Sequence, residues 1–412
     1  MTNRLLQEFL NRHCYDIRQS GNGRWIDQKC AFDTVCFVAD CIVDYLHEGG
    51  SEPFESPQIW HRDYSIENVM RLFGKPDPTT RSTLDEYNKF FRQPLKMLSA
   101  AGVLSEMRKG SKIEFYVEDL DVLEFIALRE RNALDFMCLY IEKALRDSGL
   151  WDPFASFFDE QSVEWYDNVK SRFENFCFQY TPINTKREAD RIFIKVLNQL
   201  AFKYQKHGTI RGRISPNIIT LQDIVYNKTN WYDDLTGKDK NIARGDYGRV
   251  APANSTYDYQ VTRAMKNLKY FIDNYFDGEP EVRDRFSIGN RASAIHHIFP
   301  KSRYPELAMY YENLIALTTA QHMQEAHPGG NTRQIDAAFQ YTCLIAKTDS
   351  IRKNLLRLDH APVLYSFDDF MYVLNTGLQT DYFSRIQEGD FNAVVQGLSL
   401  IHISEPTRQA EI

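Results

Sequence analysis

Four of the ten histidines in this 412-residue chain crowd into one window, AIHHIFPKSRYPELAMYYENLIALTTAQHMQEAH, from Ala294 to His327. The local pattern there is tightly constrained. ASAIHHI alternates and runs into Pro300, which cannot continue a ladder, so it predicts a short strand. NLIAL, Asn313–Leu317, predicts a second strand. TTAQHMQEAH predicts a helix capped by Thr318 or Thr319 and stopped at HPGGN. Two strands, a loop and a helix in so few residues cannot bury a core of their own. They are the right size to build a metal site across a hairpin and a helix.

The remaining chain is too long for one core and predicts two or three domains. At 43% hydrophobic and 25% charged residues it has a globular composition. No apolar run approaches the roughly 18 to 20 residues of a membrane span, and MTNRLLQEFLNRH lacks the apolar stretch and cleavage site of a signal peptide. Seven scattered cysteines without a CxxC pair fit reduced thiols. Together these predict a cytoplasmic protein with no membrane partner. The net charge of −7 argues against a uniformly basic coat, but charge is unevenly placed. Between Thr181 and Arg213 eight basic residues (Lys186, Arg187, Arg191, Lys195, Lys203, Lys206, Arg211, Arg213) face only Glu188 and Asp190.

Helical spacing over AFDTVCFVADCIVDYLHEG predicts a helix ending at Gly49–Gly50. RDYSIENVMRLFG predicts another, with Ser65 as N-cap and Gly74 as stop, and STLDEYNKFFRQPLKMLSAAG a third. VLSEMRKGSKIEFYV then reads as a hairpin with a basic tip. Three helices closed by such a hairpin is the order of a winged-helix module, which sets its third helix in the major groove and its hairpin against phosphates. Lys89, Arg92 and Lys96 fall on that helix, and Arg108, Lys109 and Lys112 on the hairpin.

The expected fold class is α+β, mostly helical. Residues 1–120 form the winged-helix-like DNA-recognition region and 121–210 a helical middle carrying the basic strip. Residues 211–284, turn-rich and polar, read as a linker; 285–355 hold the histidine segment, and 356–397 form a C-terminal helical extension. No internal repeat is visible in the residues. Within 398–412, LSLIHISEPTR resembles the translated read-through of a sequencing-library adapter. That segment is therefore set aside from fold reasoning, with the expectation that the native chain continues differently past Gly397.

The spacing His297–Asn313–His322, with HHIFP, ENLIAL and QH around it, resembles the His-Asn-His (HNH) nuclease motif on the ββα-metal fold. The match covers about a tenth of the chain, Ile288 to Gly330. The resemblance implies His297 as general base, His296 and His322 as metal ligands, and Asn313 as the residue that ties the loop and holds His297 in register. Many family members have Asp where His296 stands, and those with a second helical histidine place it where Ala326 stands. His327 is one residue late and is expected at the helix end, against phosphate or as a cap, and is the weaker candidate for a further ligand. Arg291, Lys301 and Arg303 flank the pair as possible grips on the scissile strand. Mg²⁺ is the expected cofactor, although imidazoles suit Mn²⁺, Ni²⁺ or Zn²⁺ better.

The longer layout is similar to HNH-type restriction endonucleases. It implies hydrolysis of phosphodiester bonds in double-stranded DNA by a type II-like restriction enzyme partnered by a DNA methyltransferase. Two rivals remain at this point: a modification-dependent or phage-defence nuclease, and a winged-helix DNA-binding protein with an inactive HNH segment. One metal site per chain cuts both strands only through a homodimer or by sequential nicking.

Overall fold

The computed structural model describes residues 3–73, 75, 84–226, 253–327 and 335–409. It is mostly helical with a few small sheets. Two compact units divide it, Met1–Ser255 and Thr256–Ile412. Among the described residues, no helix is long and apolar enough to cross a membrane.

The first unit is organised by a helix that is apolar almost all round. After α1 (Asn3–Asn11) and α2 (Ile17–Ser20), α3 (Phe32–His47) buries every residue from Thr34 to Asp44. A helix of that kind must be enclosed by neighbours. They are α6 (Leu84–Ala100), α7 (Leu120–Leu128) and α8 (Glu130–Asp147), all packed on α3. Between α3 and α6 run β1 (Phe54–Glu55), α4 (Ser56–Trp60) and α5 (Asp63–Phe73). The hairpin β2 (Leu104–Lys109) and β3 (Lys112–Val117) follows α6, and β1 pairs with β3 to give the antiparallel order β1–β3–β2.

Beyond α8 come α9 (Trp151–Asp159), α10 (Val163–Tyr180) and α11 (Lys186–Tyr204). A second hairpin, β4 (His207–Ile210) with β5 (Arg213–Ile218), and the short α12 (Leu221–Ile224) complete the described part of this unit.

The expected helix over 64–74 starts earlier than its sequence suggests. Ser65 is already inside α5, and its hydroxyl donates to the Ile59 carbonyl at 2.7 Å instead of capping. Gly74 lies outside the described residues. The expected linker at 211–284 is also wrong in its described parts: it contains β5, α12 and a 23-residue helix, α13 (Ala253–Tyr275). The apolar stripe Val261, Ala264, Leu268, Phe271, Ile272 is buried along one face and drives that helix. Residues 227–252 of the expected linker lie outside the described residues.

In the second unit, β6 (Ala294–His297) pairs antiparallel with β7 (Leu314–Leu317), register His296↔Ile315 and His297↔Leu314. β7 is wholly buried. A π-helical turn, Gln321–Ala326, follows it, then α14 (Ala337–Leu355), α15 (Phe367–Gly377) and α16 (Phe391–Gln409). α16 runs on into the adapter-like segment, where Leu398 is buried and the Ser399 and Tyr341 hydroxyls lie 3.0 Å apart.

A buried ion pair braces β7 from behind. Glu281 binds the strand twice: its amide donates to the Ala316 carbonyl at 2.9 Å, and its Oε2 accepts from the Ala316 amide at 2.8 Å. Its Oε1 meets Lys347 Nζ of α14 at 2.6 Å, with the lysine fully buried. Lys347 also donates to the Tyr365 hydroxyl at 3.2 Å. Removing one member of such a pair strands the other charge. Lys347→Ala is expected to cost about 3–5 kcal/mol in chemical denaturation, and the double change Glu281→Gln with Lys347→Met to recover most of it. Equal losses for the single and double variants would contradict this.

Candidate metal centre

The strand ladder decides which way the two adjacent histidines face. Successive side chains of β6 alternate, so His296 and His297 leave the strand on opposite sides. His296 goes inward and is only 6% exposed. There its ring meets His322 at 5.1 Å between centroids and His327 at 5.0 Å, while His322 and His327 are 5.1 Å apart. One ligand atom from each of the three lies within 4.8 Å of the others.

The His327 ring thus joins the cluster, the weaker of the alternatives that its sequence position offered. It is 4% exposed. The reason is the turn that carries it. In an α-helix, five residues place a side chain about 140° round the axis from its partner. A π turn closes i→i+5 rings and brings the fifth residue back beside the first. Gln321–Ala326 is such a turn, and it stacks His322 and His327 over one point. Its entry follows the expected cap, since Thr318 Oγ1 accepts from the Gln321 amide at 3.1 Å. In return Gln321 Oε1 accepts from the Thr318 amide at 2.9 Å, and its Nε2 donates to the Val282 carbonyl at 3.0 Å.

The trio fits a cation on its own chemistry. His296 Nε2 is buried with no hydrogen-bond partner, a state that costs free energy unless something accepts its lone pair or proton. Burial first, and then the neighbouring imidazoles, pull the His296 pKa down to about 3. Burial, followed by His327, also lowers that of His322. Three imidazoles facing one another form a donor set for a divalent ion. Among the described residues no carboxylate is part of it.

His297 is held for a different task. Its Nε2 lies 3.0 Å from the Ala308 carbonyl. A carbonyl only accepts, so Nε2 carries the proton and Nδ1 keeps its lone pair. The ring is half-buried, and burial lowers its pKa, which keeps it neutral. Asn313 is fully buried and holds the loop that presents Ala308: its Oδ1 accepts from the Phe299 amide at 2.8 Å. Its Nδ2 donates to the carbonyls of Phe299 at 3.2 Å and Leu307 at 3.1 Å. Asn313 thus binds backbone on both sides of the loop and touches no member of the trio.

The flanking cations differ in freedom. Arg303 is exposed, with its guanidinium 5.4 Å from the Tyr304 ring centroid. Lys301 pairs with Asp258 at 3.1 Å and Arg291 with Asp273 at 3.8 Å. In the first unit, Lys89 and Arg92 are exposed on α6 without an ion pair among the described residues. Lys96, Lys109 and Lys112 have carboxylate partners in Glu106, Glu114 and Glu55, at 3.5, 3.3 and 2.7 Å. Arg108 folds onto the Gly110 carbonyl at 3.2 Å. Ion pairs at a solvated surface are worth little.

Of the histidines that sequence reasoning named, the structure brings His296, His322 and the lower-ranked His327 together, and sets His297 on the other side of the strand. Sequence reasoning gave no sign of Glu281, Glu312 or Lys347, buried charges that brace the site. Comparison with family models, curated proteins and solved structures finds no match to this chain.

The lowered pKa of His296 carries a sign. An unfolded histidine takes a proton below about 6.5, whereas folded His296 refuses it until about 3. Without metal, stability is thus full above that upper value and falls as the pH drops through the window between them. Urea midpoints of chelator-treated protein are expected to fall between pH 7.5 and 5.5. Equal midpoints would contradict the assignment.

Proposed function

We propose that this chain is a divalent-metal-dependent DNA endonuclease of the HNH type, acting on duplex DNA as a type II-like restriction enzyme does. The observation that carries the reading is the pairing of two imidazole environments. Three histidines face one another around an unsatisfied Nε2, and a fourth is locked as the tautomer that accepts a proton. Either alone has an ordinary structural explanation; adjacent on one strand, they match what phosphodiester hydrolysis needs.

In this reading His297 Nδ1 takes the proton of the attacking water, while Ala308 holds the opposite edge of the ring and Asn313 holds the loop bearing Ala308. His296, His322 and His327 would hold the cation, which supplies positive charge to the phosphate and to the leaving 3′ oxygen. In-line attack leaves a 5′-phosphate and a 3′-hydroxyl. An all-imidazole set favours Mn²⁺, Ni²⁺ or Zn²⁺ over Mg²⁺.

Support for a DNA-reading half comes from the first unit. The order α3, β1, α4–α5, α6, β2, β3, with sheet order β1–β3–β2, follows the winged-helix plan, and Lys89 and Arg92 stand free on the helix that would enter the major groove.

Purified protein with Mn²⁺ is expected to cut duplex DNA. His297→Ala should slow cutting by at least ~10²-fold, the lower range for a general base, with DNA binding nearly intact. Absence of cleavage with Mn²⁺, Ni²⁺, Zn²⁺ and Mg²⁺ alike would refute the reading. Cutting that ignores sequence would remove only the restriction assignment.

A further inference from the structure

The chain leaves α6 and α11 in the same way. A left-handed residue follows each helix, Gly102 at φ 79° and Gln205 at φ 55°. The next amide reaches back five residues, Val103 to the Leu98 carbonyl at 3.0 Å and Lys206 to the Ala201 carbonyl at 2.8 Å. This C-cap turns a helix sharply into whatever comes next, and here a hairpin comes next in both places.

Each hairpin has a two-residue turn with positive φ, at Gly110 (64°) in one and at Arg211 (54°) and Gly212 (76°) in the other. The amide just past each hairpin closes on the carbonyl just before it, Glu118 to Val103 at 3.0 Å and Ile219 to Lys206 at 3.1 Å. A helical segment then starts at once, α7 behind Asp119 and α12 behind Thr220. The shared order makes α11–β4–β5 a second helix-and-hairpin motif, displaced by 205 − 102 = 103 residues at the cap.

The copies diverge on the face that would meet a groove. Adding 103 to Lys89, Arg92 and Lys96 gives Ile192, Lys195 and Gln199. Ile192 and Gln199 are each 1% exposed, and Lys195 is engaged by the charge of Asp33. α11 also packs against α8, so the face equivalent to Lys89, Arg92 and Lys96 is closed to DNA. At its hairpin tip Arg211 and Arg213 are both exposed. Lys170 of α10 donates to the Gly212 carbonyl at 3.4 Å and braces the turn from behind, its charge shared between Asp190 at 3.4 Å and Glu174 at 4.0 Å.

We propose that the β4–β5 hairpin is a second nucleic-acid contact, in which Arg211 and Arg213 grip the phosphate backbone of duplex DNA without reading its sequence. The inference rests on the nuclease reading and deepens it: one motif offers that helix face to the bases, and in the other the same face is buried while the tip is exposed. Guanidinium groups at a two-residue turn suit phosphate oxygens, and a buried helix face leaves nothing for base edges.

The test uses the full chain carrying His297→Ala, with Kd measured over a salt series on two duplexes of unrelated sequence. Arg211→Gly with Arg213→Gln suits the turn, because glycine accepts the positive φ of position 211. It is expected to lower the slope of log K against log salt by about 1.8, two phosphates at ~0.9 each, and to weaken both duplexes by the same factor. Arg211→Lys with Arg213→Lys should restore the slope. If the first pair lowers the thermal midpoint, Arg213→Gln alone is read instead, with an expected change of about 0.9. Retained binding with an unchanged slope overturns the clamp, as does a shift in preference between the two duplexes. Failure of the His297→Ala parent to bind DNA at all would overturn the nuclease reading itself, before the hairpin is touched.

Discussion

Three imidazoles packed face to edge around one point, two of them buried, are an unfavourable arrangement unless something joins them. His296 Nε2 is the clearest sign, since it is buried and bonded to nothing. The surrounding architecture holds that arrangement in place. β6 presents His296 to the inside because its register against β7 is fixed. The π turn delivers two further rings at a spacing an α-helix would throw to different sides. The fourth histidine, next along the same strand, is thereby directed elsewhere and fixed through the Ala308 carbonyl.

Rigidity around the site comes from polar groups with nowhere else to go. Asn313 uses both ends of its amide on the loop backbone, so the loop between the strands cannot drift without breaking buried bonds. Glu281 occupies backbone groups of β7 and is neutralised by Lys347, which is sunk entirely in the core. Glu312, next to Asn313 and fully buried, accepts from the Ser366 amide at 2.8 Å and so ties the same loop to the entry of α15. A hydrolytic site needs such fixed geometry, because small displacements of a base or ligand cost rate steeply.

Much of this was readable locally. The alternation ending at Pro300 and the Thr318 cap follow short-range rules, and the two strands fall where those rules put them. The parts that were not readable depend on distance or on backbone form. His327 fails an α-helical count and succeeds only in a π turn, whose presence no single residue announces. Ser65 was free to cap, but the nearby Ile59 carbonyl took its hydroxyl. The start of α13 was hidden by polar residues, although Val261, Ala264 and Leu268 already stood at helical spacing. The duplicated helix-and-hairpin motif is invisible as residue identity because it lies in caps and turn dihedrals.

The most direct measurement is X-ray absorption on Zn²⁺-loaded protein, counting imidazoles around the metal. The account predicts one ion per chain with three histidine ligands, reduced to two in each of His296→Ala, His322→Ala and His327→Ala. A spectrum without imidazole scattering, or one that any of these changes leaves untouched, would contradict it.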